Sequence, residues 1–221
     1  MRFPNAGYRE WVRQIPVSWL SMMIPNFAIS VARLLRTVGL DARQFSSVPD
    51  FLEADPPDGP TCLVLDVRMP GRSGLDLQSE LVAANRQVPI IFITAYADVP
   101  MTVQAMKSGA IEFLTKPFRD QDLLDAIDAG LARDRARRES DRVVAAIRRR
   151  LDTLSPRETE VMLHVVAGRL NKQIANDIGI AESTVKVHRT NLMRKMKARS
   201  VPELTRMADC LNIKLQQLQN F

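Results

Sequence analysis

Three stretches of this chain share one pattern, a short strand-like run that leads into a polar residue. Cys62-Leu63-Val64-Leu65 stops at Asp66, residues 88–93 stop at Thr94, and residues 111–115 run into Lys116. The first run, apolar at every position, suits a buried strand, and the other two read as strands. Helical spacing fills the gaps, over residues 75–84 and 99–108. Upstream, residues 17–21 read as a strand and 26–38 as a helix ended by Gly39. Residues 42–45 read as a weak strand and 48–54 as a short helix; a further helix opens at Asp120. Pro56-Pro57-Asp58-Gly59-Pro60 and the loop with Pro70, Gly71 and Gly74 punctuate the pattern. Five β-α units imply an α/β fold, a five-stranded doubly wound parallel sheet with helices on both faces. Such sheets carry their sites at the carboxyl ends of the strands. That places Asp66, Thr94 and Lys116 together.

From Leu151 the pattern changes to helices alone. Ser155-Pro156-Arg157-Glu158 combines a capping box with Pro at the first helical position. The helix it opens stops at Gly168; others are expected over residues 171–178, 182–196 and 202–211. Residues 171–196, with the turn Gly179-Ile180-Ala181, read as a helix-turn-helix. Ile174, Ala175 and Ile178 are expected to pack inward, as are Val185, Leu192 and Met196 at helical spacing. The opposite face presents Lys186, His188, Arg189, Thr190, Arg194, Lys195 and Lys197. Residues 1–130 thus form one domain and 151–221 an all-α, four-helix domain. Residues 131–150 form a linker helix, whose stretch 132–142, nearly all charged or small, is expected to be exposed.

Charge follows the same division. Residues 131–221 carry 19 Lys and Arg against 10 Asp and Glu, while residues 1–130 carry 12 against 15. A basic C-terminal part suits a polyanion, although a solvated charged face would give the same count. The two cysteines, Cys62 and Cys210, lack metal-ligand spacing and read as reduced thiols of a cytoplasmic protein. Residues 14–32 carry no charge, but Pro16, Pro25 and Asn26 interrupt them, which argues against a membrane span.

Asp66, at the end of a buried strand, can act as a nucleophile. The Thr94 hydroxyl and the Lys116 ammonium could hold the oxygens of a phosphoryl group. The plainer alternative is a surface Asp–Lys pair beside a strand-end threonine; three such residues at successive strand ends favour the site. Leu65-Asp66-Val67-Arg68-Met69-Pro70-Gly71, Ile93-Thr94-Ala95 and Phe113-Leu114-Thr115-Lys116-Pro117-Phe118 resemble the signatures of response-regulator receiver domains, closest to the FixJ-like branch. The resemblance implies a flavodoxin-like receiver in which Asp66 takes a phosphoryl group from a sensor histidine kinase with Mg²⁺ bound. It further implies that Thr94 and Lys116 contact that group and Phe113 reorients as a switch. The metal would be held by Asp66, the Arg68 backbone carbonyl and an acidic pair after the first strand.

Here Met22 and Met23 stand where the family has that acidic pair. Thioether sulfur is soft and Mg²⁺ takes oxygen ligands, so Mg²⁺ binding is expected to be weak or absent and phosphorylation poor. The codons for Met22-Met23-Ile24, read one base earlier, must contain two GAT triplets, which encode Asp-Asp. A shifted frame up to about Ser30 would therefore restore the family's segment; the alternative is a degenerate receiver that works without phosphate.

Residues 154–207 resemble the LuxR-type helix-turn-helix. The likeness rests on Leu154-Ser155-Pro156-Arg157-Glu158, Asn171-Lys172-Gln173-Ile174-Ala175 and Ser183-Thr184-Val185-Lys186-Val187-His188. It implies that Lys186, Val187 and Thr190 face the major groove of double-stranded DNA. Asn171, Lys172, Ser183, Thr184, His188, Arg189 and Lys195 complete the expected interface. Ala181 stands where the family usually has Ser or Thr as the helix N-cap. The resulting expectation is a DNA-binding transcriptional regulator, not an enzyme, that forms a homodimer when active. Two readings compete with it. One is a flavodoxin-like enzyme using Asp66 and Lys116. The other is a phosphorylation-independent or dominant-negative partner of phosphorylatable relatives.

Overall fold

The computed structural model describes residues 19–23, 28–55, 57–69 and 72–213, without the side chains of 19–23 and 28–30. Pro16, Ile24, Pro25, Asn26, Pro56, Pro70 and Gly71, and the start of the strand expected over residues 17–21, lie outside the described residues. The chain divides into two compact units between Arg138 and Glu139.

The first unit alternates β1 (Trp19–Met23), α1 (Ala28–Thr37), β2 (Asp41–Gln44), α2 (Val48–Glu53), β3 (Thr61–Asp66), α3 (Gly74–Ala83), β4 (Ile90–Thr94), α4 (Val99–Lys107) and β5 (Glu112–Thr115). Its last helix is α5 (Asp120–Leu151), a single helix of 32 residues that joins the helix expected to open at Asp120 to the expected linker helix and runs on into the second unit. The five strands are parallel in the order β2-β1-β3-β4-β5, as the alternation of elements requires. β1, β3 and β4 are the interior strands, and the apolar side chains of β3 and β4 point alternately to the two faces. Cys62, Val64, Ile91 and Ile93 meet α1 and α5 through Val31, Leu35, Leu123, Ile127 and Leu131. Leu63, Leu65, Ile90 and Phe92 meet the other helices through Phe51, Leu77, Leu81 and Ala105. Each such side chain fully buried stabilises the fold by about 1.5–3 kcal/mol. β2 and β5 lie at the edges and carry exposed polar positions, which discourages further strand pairing.

Two contacts seat α5 at the amino ends of β3 and β4. A Cβ added at Gly130 would stand 2.6 Å from Cys62 Sγ, so only glycine lets the helix approach this closely. One turn on, Asp134 is fully buried; its carboxylate accepts the Thr61 N–H at 2.9 Å and is paired by Arg137 and Arg138 at 2.6 and 2.7 Å. Residues 132–142, expected to be exposed, are so for the most part; Asp134 is the buried exception, with Arg135, Arg137 and Arg138 half-buried. Asp134 looks like a solvated charge in sequence because its partner is a backbone N–H distant in the chain. Burial pushes the Cys62 thiol well up, so it stays protonated and donates to the Pro89 carbonyl.

Gly130→Ala is expected to destabilise the first unit by about 1–3 kcal/mol through overpacking. In a Cys62→Ala background the same change is expected to stabilise, because the helix gains up to about 1 kcal/mol once the sulfur is gone. Thermal unfolding of the four proteins checks the change of sign.

The second unit is helical: the end of α5, then α6 (Pro156–Val166), α7 (Asn171–Ile178), α8 (Glu182–Met196) and α9 (Val201–Cys210). Ile174, Val185, Leu192 and Met196 are fully buried and Ala175 nearly so, as the helical spacing predicts; Ile178 is half-buried. Ser155 and Glu158 form the expected capping box on α6. Gly179 takes the left-handed conformation (φ 69°) that turns α7 into α8. Ala181, the N-cap of α8, offers no side-chain hydrogen bond. Ala181→Ser is therefore expected to raise the stability of this unit by about 1 kcal/mol, read as a higher melting temperature.

Candidate phosphoryl site and nucleic-acid interface

In a parallel sheet every strand runs its carboxyl end to the same edge, so β3, β4 and β5 deliver their last side chains together. The edge is tied by backbone bonds from Val67 N–H to the Ile93 carbonyl (3.2 Å) and from Lys116 N–H to the Thr94 carbonyl (2.8 Å). Lys116 Nζ donates to Asp66 Oδ2 at 3.1 Å, and the Arg68 N–H donates to Asp66 Oδ1 at 3.0 Å. The Asp66 side chain keeps 15% of its surface exposed, enough for an incoming group to reach it. Thr94 sits at the adjacent strand end but is fully buried. Its hydroxyl donates to the Tyr96 carbonyl (3.1 Å) and accepts the Tyr96 N–H (3.3 Å), so it has to rotate before it can meet a group on Asp66. Phe113, half-buried on β5, packs against Phe92 with ring centroids 6.0 Å apart.

Sequence reasoning missed one partner at this edge. The Arg68 guanidinium lies 4.9 Å from the centroid of the Tyr96 ring, and Tyr96 is largely exposed. Each residue follows its strand end by two positions, and only the fold shows that the two loops meet.

The arrangement can present an anionic oxygen nucleophile with one cation beside it. Among the described residues it offers Mg²⁺ few oxygen donors. The backbone register sets Met22 beside Val64 and Met23 beside Leu65, next to Asp66, which is where further carboxylates would be needed. The side chains of Met22 and Met23 lie outside the described residues. Among the described residues no group of three or more His, Cys, Asp or Glu could hold a metal. Among the described residues Asp66 supplies the carboxylate at this edge, and both its oxygens accept hydrogen bonds. For a hard cation that takes six oxygens, the remainder would have to come from backbone carbonyls and water.

In the second unit α8 buries one face and exposes the other. Ser183, Thr184, Lys186, Val187 and Thr190 are exposed, with Val187 at 58% although it is apolar. Lys172 is exposed at the start of α7; His188 is half-buried. Lys186 Nζ pairs with Glu182 across one turn at 3.0 Å, an exposed contact worth little and easily exchanged. Arg189 Nη1 donates to Asn171 Oδ1 at 2.9 Å and so ties α8 to α7. Lys195 is placed differently from the rest: its ammonium turns inward to Glu158 Oε2 (2.6 Å) and the Thr153 carbonyl (3.0 Å). His164 Nδ1 on α6 lies 3.6 Å from Asp177 Oδ2 on α7.

The Lys195 ammonium and the Ser155 N–H hold the Glu158 carboxyl below the usual carboxylate range. A depressed folded-state value adds stability that is present above the unfolded value, near 4.3, and is lost as pH falls through the folded one. The second unit is therefore expected to lose stability on acidification below about pH 4. Glu158→Gln should flatten that part of a melting-temperature profile.

Comparison with known proteins agrees with this geometry. Residues 24–128 match the response regulator receiver domain, and residues 152–208 match the bacterial regulatory proteins of the luxR family. The chain is 53% identical over 184 residues to nodulation protein W of Bradyrhizobium diazoefficiens, covering 83% of this chain and 81% of that protein. It is 45% identical over 179 residues to the transcriptional regulatory protein FixJ of Azorhizobium caulinodans, covering 81% and 85%. Among solved structures, the response regulator StyR superposes with a TM-score of 0.77 at 42% identity, covering 88% of this chain and 99% of that one. With both halves matched and the order of domains shared, the chain belongs to the two-component response regulators, transcription factors that join a receiver domain to a LuxR-type DNA-binding domain.

Proposed function

We propose that this protein binds specific DNA sequences through α8 and that the state of Asp66 governs how often it does so. The observation that carries the reading is the division of α8. Val185, Leu192 and Met196 are buried, while Lys186, Val187 and Thr190 stand exposed along one side. A helix of this kind can set polar and apolar side chains against base edges, with cations at the phosphates. Lys172, Ser183 and Thr184 serve the sugar-phosphate backbone. Residues 131–150 connect the two domains.

The phosphoryl donor is a sensor histidine kinase. The Asp66 carboxylate attacks phosphorus, the P–N bond to the kinase histidine breaks, and Lys116 turns from the carboxylate to a phosphoryl oxygen. Transfer is poor in this chain, because Met22 and Met23, paired with Val64 and Leu65 just before Asp66, stand where oxygen ligands would be needed. The active form is a homodimer on half-sites roughly 34 Å apart, about one turn of duplex. Val99, Val103 and Met106, exposed on α4 at 76, 44 and 41%, offer the apolar surface that a second copy could cover. No helix among the described residues is long and apolar enough to cross a membrane, which suits a regulator acting on DNA in the cytoplasm.

The methionines also favour a second reading, a receiver that no longer responds to phosphate and either binds DNA constitutively or traps its relatives in inactive dimers. A gel-shift titration with and without a small phosphodonor separates the two. DNA affinity that rises with the donor, and does not in Asp66→Asn, supports control by phosphate; equal affinity supports the second reading. The nucleotide sequence decides whether a shifted frame accounts for the segment up to Ser30: compensating insertions or deletions that restore Asp-Asp support it, and their absence rejects it.

A further inference from the structure

The last turn of α8 leaves backbone carbonyls with no partner in its own helix. One of them, on Met196, accepts a hydrogen bond from Arg150 Nη1 at 3.3 Å, reaching over from the end of α5. Just before it, Lys195 Nζ spans to the Thr153 carbonyl and to Glu158 Oε2. Glu158 is itself fixed, since the same oxygen accepts the Ser155 N–H at 2.7 Å and its own N–H donates to Ser155 Oγ. Thr153 is held as well, its hydroxyl donating to the Arg150 carbonyl at 2.7 Å. The turn between α5 and α6 and the end of α8 therefore form one closed set of bonds. Two cations stand at the negative end of the α8 dipole, where they are favoured without any DNA present.

We infer that Arg150 and Lys195 are positioning residues for DNA recognition: they clasp the C-terminal end of α8 and so fix the angle at which Lys186, Val187 and Thr190 meet base edges. The inference rests on the reading of α8 as the recognition helix. It separates two kinds of cation that look alike in sequence. Lys172 and Lys186 are exposed and available to DNA. The Lys195 side chain is 32% exposed and paired to a carboxylate that is 5% exposed, so it is already committed within the protein.

The distinction is measurable. A phosphate-contacting cation contributes about 0.9 to the slope of log affinity against log salt. A positioning cation contributes nothing to that slope, but misplacing base contacts erodes specific binding. The probes are a duplex that the wild-type full-length protein selects from a random pool and a scrambled duplex of the same length. Arg150→Ala is expected to lower affinity for the selected duplex about 10-fold, equivalent to one base contact. Affinity for the scrambled duplex and the salt slope stay unchanged, and Arg150→Lys restores part of the loss. Lys195→Met, made together with Glu158→Gln so that no buried charge is left alone, is expected to behave in the same way. All measurements are made well below each variant's melting temperature.

A salt slope reduced by about one in Lys195→Met would make Lys195 a phosphate contact and overturn the inference for it. A lowered melting temperature with unchanged specificity in Arg150→Ala would make the clasp structural only, and overturn the inference as a whole. If the wild-type protein selects no duplex, the reading of α8 fails and the inference falls with it. If the wild type binds selectively and both variants bind equally well, only the inference fails.

Discussion

Replacing Met22 and Met23 together by aspartate is expected to raise Mg²⁺-dependent phosphorylation of Asp66 by at least about 10-fold, the lower range of what ligand-shell changes do to a metal site. The backbone register already sets these two positions beside Val64 and Leu65, at the level of the Asp66 edge. New carboxylates there would bring to the site the oxygen donors that Mg²⁺ requires. The rest of the edge is in place, with Lys116 within 3.1 Å of Asp66 and Thr94 on the neighbouring strand. The measurement is labelling by a radioactive phosphodonor, with Mg²⁺ and with chelator. Asp66→Asn in the same background identifies the acceptor and should remove the label. Labelling of the unaltered chain that equals the aspartate variant would show that the methionines are no handicap, and that the account of the missing donors is wrong.

Lys186→Ala is expected to lower affinity for a selected duplex by about 1–3 kcal/mol, which is 5- to 150-fold, and to relax base preference at one position. Lys186 leaves only an exposed i,i+4 pair with Glu182 when it turns to DNA, so little opposes the exchange. Lys172→Ala makes the contrast. It should weaken binding to all duplexes alike and reduce the salt slope by about 0.9. Both residues are exposed and neither supports the core, so both variants are expected to melt with the wild type. An unchanged preference in Lys186→Ala would move the recognition surface elsewhere on α8.

The parts of this fold that were legible in sequence are those where local pattern and global burial agree. Cys62–Leu65 and Ile90–Ile93 are apolar at every position because β3 and β4 are covered on both faces. In α8, the spacing of Val185, Leu192 and Met196 marked the buried side and, by difference, the exposed one. What escaped were polar side chains whose partners are distant in the chain. Asp134 reads as one more charge in a charged helix, yet it is sealed against the Thr61 N–H. Lys195 reads as one more cation on a basic helix, yet Glu158 and Thr153, on another segment, turn it inward. The Thr94 hydroxyl was placed at the right edge, but its bonds to the Tyr96 backbone depend on a loop turn that spacing alone does not reveal. The pairing of Arg68 with Tyr96 escaped for the same reason.

Titrating the full-length protein into a labelled random-sequence duplex pool at several salt concentrations probes the heart of this account, the seating of α8 in a DNA groove. Affinity is expected to fall steeply with salt, with a log–log slope of several units, as counterions released from phosphates are restored. Rounds of selection should then enrich one motif. An affinity too weak to measure at low salt, or one indifferent to salt, would contradict the account at its base.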